Sequence, residues 1–99
     1  MISISLNEVF AKGVNFAREK RHEYLTLEHI LFAIANSKEG YEILTDLAVE
    51  IDELVKNLNN YLDKHIPTVP ENIDPMETMA LSQAINEMMI HVNLSLIHI

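Results

Sequence analysis

Apolar residues recur along this chain at helical spacing. Leu6, Val9, Phe10, Gly13, Val14 and Ala17 fall on one stripe, the three-and-four repeat of a helix that buries one face. This predicts a first helix over about residues 6–20, with Ser5 and Glu8 at capping-box spacing ahead of it. Gly13 and Ala17 are its small members and would let a neighbouring helix come close. The run Leu27, Ile30, Leu31, Phe32, Ala33, Ile34 is apolar nearly all round. It predicts a central, most buried helix over about 27–36, opened by Thr26 as N-cap. Ser37 is placed to cap a short third helix over about 38–47, which offers Tyr41, Ile43, Leu44 and Leu47 to the core. A fourth, over about 51–65, carries a clean stripe at Ile51, Leu54, Val55, Leu58 and Leu62.

The pattern then breaks. Pro67, Pro70 and Pro75 fall close together, so residues 67–76 form a Pro-rich connector that cannot be helical throughout. A fifth helix is expected over about 77–93, with Leu81, Ala84, Ile85, Met88 and Val92 on one face. It echoes the first: shifted by 75 positions, Leu6 matches Leu81, Phe10 matches Ile85, Val14 matches Met89 and Ala17 matches Val92. With few glycines and no sustained polar–apolar alternation, the fold class is all-α.

Composition narrows what such a bundle can do. Ninety-nine residues allow one small domain. A net charge of −8 argues against a nucleic-acid binder, which needs a basic face, and favours basic partners. Lys12, Arg18, Lys20 and Arg21 lie in one short stretch, where the last three complement the negative end of the first helix. The chain has no cysteine, hence no disulfide, thiol nucleophile or thiolate metal site. Its start is too soon polar for a signal peptide, and no apolar stretch reaches membrane-spanning length. The expected location is cytoplasmic.

The most informative stretch is Arg21-His22-Glu23-Tyr24-Leu25-Thr26-Leu27-Glu28-His29-Ile30-Leu31. A charged helix end passes through a short loop into the buried second helix, with a polar cluster at Glu23, Thr26, Glu28 and His29. Helix punctuation accounts for part of it: Thr26 caps, Glu28 complements the helix dipole, and His29 bonds locally. The stretch also resembles the first repeat of the Clp N-terminal domain, the adaptor- and substrate-docking module of Clp unfoldases. The likeness is strongest to the A-type subunit, where Arg-His-Glu, a hydrophobic pair and Thr-x-Glu-His-hydrophobic occur in this order.

The resemblance implies a Clp N-domain-like helical bundle. Residues 1–66 would be a first four-helix repeat, and residues 77–93 the first helix of a truncated second one. It implies a non-catalytic docking function. The carboxylates of Glu23 and Glu28 would meet basic groups of a partner, with Thr26, Arg21 and His22 as further contacts. The partners implied are an adaptor of the ClpS type, protein substrates, a parent hexamer and a Clp peptidase. No cofactor is expected in this chain; ATP and magnesium would belong to ATPase modules elsewhere in the parent. In C-type relatives a Glu at the Glu28 position holds phosphoarginine, a second reading of the same helix start. Residues 94–99, Leu-Ser-Leu-Ile-His-Ile, read as the translation of a transposase end sequence used in sequencing libraries, and so as a non-native tail.

Two other classes stay open on the residues alone. A small metal-dependent hydrolase could use His22, Asp63 and His65, if the ends of the first and fourth helices meet. Against it, Asp63-x-His65 does not set two ligands on one helix face, and no His-Glu-x-x-His occurs. A free-standing helical regulator could instead associate through its fifth helix, where Met76, Met79, Met88 and Met89 gather. Nucleophilic catalysis and phosphate-loop chemistry have little support. No Gly-x-Ser-x-Gly elbow is present, and Gly13 and Gly40 are the only glycines.

Overall fold

The computed structural model describes residues 6–70 and 73–97, apart from the side chains of Leu6, Met89 and residues 91–97. The expected cap at Ser5 and the core positions Leu6, Met89 and Val92 therefore lie outside what is described. The described chain is an all-α bundle: α1 (Leu6–Glu19), α2 (Leu27–Ala35), α3 (Lys38–Asp46), α4 (Ile51–His65) and α5 (Met79–Ile97). Two short strands, β1 (Tyr24–Leu25) and β2 (Met76–Glu77), pair in parallel.

Helix α2 is the central element and packs against α1, α3 and α4. The small face of α1 makes this possible: a Cβ placed on Gly13 would sit 3.0 Å from Ile30 Cδ1. One side of α2 nevertheless remains open, because Leu27 and Leu31 are exposed. The main apolar cluster is Ala17, Leu25 and Leu81, with Phe10, Val14, Ile30 and Ile85 packed around it. It joins α1, β1, α2 and α5. Ile51, Leu58 and Leu62 bury the stripe of α4.

Two expectations need correction. Tyr41 and Leu47 do not enter the core; they are 53% and 68% exposed. Helix α3 has only nine residues, and Ser37, Gly40, Ile43 and Leu44 form its inward side, at least half-buried. Tyr41 and Leu47 fall outside that arc. Helix α5 runs from Met79 to Ile97 rather than over about 77–93. The Met76 and Thr78 N–H groups donate to the Glu23 and Leu25 carbonyls at 2.9 and 3.0 Å, which holds this segment as a strand. Thr78 then caps the helix, its hydroxyl accepting from the Leu81 N–H at 3.2 Å.

Both α1 and α3 end in a left-handed residue. Arg21 has φ 55° and Ala48 φ 62°. Around Arg21 the His22 N–H donates to the Ala17 carbonyl, and the Arg21 N–H to that of Arg18. Val49 to Leu44 and Ala48 to Thr45 repeat the pattern. These are Schellman closures, which satisfy carbonyls left open at a helix end and usually carry glycine at the left-handed position.

Candidate docking site

The Schellman turn at Arg21 reverses the chain and drives His22 into the interior. Arg21 itself is exposed, and its carbonyl accepts from the Val69 N–H at 2.8 Å. Glu23 follows, with its N–H donating to the Pro67 carbonyl at 2.7 Å. The loop is thus pinned on one side by the connector and on the other by β2.

His29 is fully buried at 0% exposure, and His22 nearly so at 2%. The Thr26 backbone N–H donates to His29 Nδ1 at 3.0 Å, and the His29 N–H donates to the Thr26 carbonyl at 3.1 Å. A histidine ring here takes the place of the Glu or Gln that usually supplies the side-chain half of a capping box. Because a backbone N–H can only donate, His29 Nδ1 carries no proton and its ring hydrogen sits on Nε2. That hydrogen points at His22 Nδ1, 2.9 Å away. His22 Nδ1 must accept it, so the His22 proton lies on Nε2, facing Asp63 Oδ1 at 3.6 Å. One backbone N–H therefore sets both tautomers along the series Thr26, His29, His22, Asp63.

Aromatic packing encloses this relay. Phe16 lies edge-on to His22 and tilted against His29, and stacks on Phe32 at 4.2 Å between ring centroids. Burial disfavours the charged imidazolium. It lowers His29 from 6.5 to about 4, with the His22 ring adding to the effect and Glu28 opposing it. His22 is also lowered, chiefly by burial; Asp63 opposes this shift and Lys20 adds to it. Both rings are neutral structural members at neutral pH.

The five residues singled out for docking are thus unequally placed. His22 and Thr26 are buried within the scaffold. Arg21 is exposed, and Glu23, just before β1, and Glu28, in the first turn of α2, are half-buried. Among the described residues neither carboxylate has a cation within ion-pairing distance. The nearby Arg18 pairs with Asp74 at 3.0 Å, and Lys20 with Asp63 at 3.5 Å. The three metal candidates do not converge. His22 and Asp63 meet, but His65 lies against Tyr61, with ring centroids 4.6 Å apart. Among the described residues no three His, Asp or Glu side chains gather at metal-binding spacing.

Sequence reasoning placed His29 in the polar cluster but missed its bond to His22. The only signal available was the pair of histidines flanking one short loop, and nothing in the spacing says that the loop folds back. Among the described residues no helix is long and apolar enough to cross a membrane.

Comparison with known proteins agrees with this architecture. A protein of Fuscovulum blasticum named as a ClpA homolog is 27% identical over 96 residues, an alignment spanning 94% of this chain and 12% of that relative. The chain therefore corresponds to a small part of the relative's length. The family model described as the Clp repeat (R) N-terminal domain matches residues 1–95. The chain belongs to the Clp repeat N-terminal domain family.

Proposed function

We propose that the chain is a non-catalytic docking domain that recruits adaptor proteins, of the ClpS type, and protein substrates to an A-type Clp unfoldase. In this reading a parent hexamer consumes ATP with magnesium through its own ATPase modules and feeds a Clp peptidase. The single observation that supports it is the pair Glu23 and Glu28. Both carboxylates are half-buried and without an ion-pair partner among the described residues; Glu23 directly precedes β1 and Glu28 lies in the first turn of α2, next to the buried, hydrogen-bonded His22 and His29. A rigid pair of free carboxylates suits a basic partner, because little side-chain or loop entropy is lost on binding.

Glu28→Lys tests the assignment. Titration with a ClpS-type adaptor is expected to show at least a tenfold loss of affinity, on the order of 1.4 kcal/mol or more, with unchanged helicity by circular dichroism. Unchanged affinity would remove Glu28 from the site.

A further inference from the structure

Several exposed apolar residues lie on the β1–β2 ribbon and on the helices that follow each of its strands. Tyr24 stands in register with Met76 across the parallel ribbon, so the two side chains share a face. Leu25 points inward and is buried, which turns Tyr24 and Met76 outward. Thr26 and Thr78 follow at the next position of each strand, and each precedes a helix. Leu27 and Met79 thus open α2 and α5 at corresponding positions. Leu31 lies one turn beyond Leu27 on the same side of α2. Tyr24, Leu27, Leu31, Met76 and Met79 are 36%, 44%, 36%, 67% and 80% exposed.

We propose that this seam is a peptide-docking surface whose occupant is a cationic segment of a partner protein carrying aliphatic anchors. Charge complementarity selects that occupant. Glu23 immediately precedes Tyr24 and Glu28 immediately follows Leu27, so carboxylates with no ion-pair partner among the described residues flank these apolar positions. A second copy of a chain with net charge −8 would set these carboxylates against one another, which is unfavourable. A cationic segment pairs with them while its aliphatic side chains cover the seam. Methionine at two of the five positions gives an adaptable contact surface. This inference rests on the docking reading and specifies what the docked segment is made of.

The test is fluorescence anisotropy with a fluorescein-labelled synthetic peptide carrying a leucine–isoleucine pair flanked by arginines. The expected result is saturable binding by the full chain. It weakens at least tenfold in Leu27→Ser and in Met79→Ser, whose exposed side chains leave the fold intact by circular dichroism. It also weakens in Glu28→Lys and when glutamates replace the peptide's arginines. Binding lost in Glu28→Lys but unchanged in both serine variants would overturn the seam and leave the docking reading standing. Binding lost in the serine variants but kept in Glu28→Lys would overturn the cationic occupant. Absence of binding, or a dimer in sedimentation that Met79→Ser dissolves, would also overturn the proposal.

Discussion

His29 Nε2 and His22 Nδ1 lie 2.9 Å apart with room for one hydrogen between them, and the Thr26 N–H decides that this hydrogen belongs to His29. A second proton on either ring breaks the arrangement. On His22 Nδ1 it opposes the His29 N–H; on His29 Nδ1 it opposes the Thr26 N–H that it replaces as partner. The relay is therefore a neutral-state device. It ties the end of α1 to the start of α2, with Asp63 of α4 at its outer end.

Stability should accordingly fall in mild acid. His29 titrates at 6.5 when unfolded and at about 4 when folded, so between these values the unfolded chain binds more protons. Stability rises with pH wherever that holds. The contribution is fully present above about pH 6.5 and is lost as pH falls toward about 4. The shift is worth about 3 kcal/mol at ~1.4 kcal/mol per pKa unit, and the lowered His22 adds in the same direction. Urea unfolding at pH 7.5 and pH 4.5 checks it. His29→Ala should lose about 2–4 kcal/mol at neutral pH through unpaired buried groups, and should flatten this pH dependence. Equal urea midpoints for the wild type at the two pH values would contradict the geometry.

The left-handed residue closing α3 offers a gain. Ala48 at φ 62° bears a steric cost of roughly 1–2 kcal/mol that glycine avoids. Ala48→Gly should stabilise the chain by about 0.5–1 kcal/mol after the extra chain entropy of glycine is counted. Ala48→Val should destabilise it by more than that, because a β-branched residue tolerates this region poorly. Thermal melts of the two variants against wild type give the sign.

The two glycines should respond unequally to alanine. At Gly40 a Cβ would collide with the Ile34 backbone carbonyl, which cannot move without shifting α2. Gly40→Ala should therefore cost about 1–3 kcal/mol or more. At Gly13 the nearest atom is Ile30 Cδ1 at 3.0 Å, the end of a flexible side chain. A gain of about 1 kcal/mol in helix propensity offsets that crowding, so Gly13→Ala should lie near neutral. Denaturant midpoints of the pair separate the cases.

What was legible in the sequence follows from which forces are local. The limits of α4 came straight from its apolar stripe, and those of α2 from its apolar run and the Thr26 cap. The motif from Arg21 to Leu31 carried the family. Tyr41 and Leu47 were misplaced because a nine-residue helix exposes most of its circumference, and composition does not say which arc is inward. The start of α5 was misjudged because hydrogen bonds to Glu23 and Leu25, far away in sequence, hold Met76 and Thr78. At the site, Glu23 and Glu28 could be chosen for their charge. The burial of His22 and Thr26 could not be foreseen, since it depends on the loop folding under Phe16 and onto α4.

The central claim is that partners dock on the face bearing Glu23 and Glu28. Amide chemical-shift mapping of the labelled chain during titration with a ClpS-type adaptor tests it most directly. The expected perturbations centre on residues 21–31 and 76–79, with Glu23 and Glu28 among the most shifted and α3 little changed. Perturbations centred on the exposed Tyr41 and Leu47, with the Glu23 and Glu28 amides unmoved, would contradict the account.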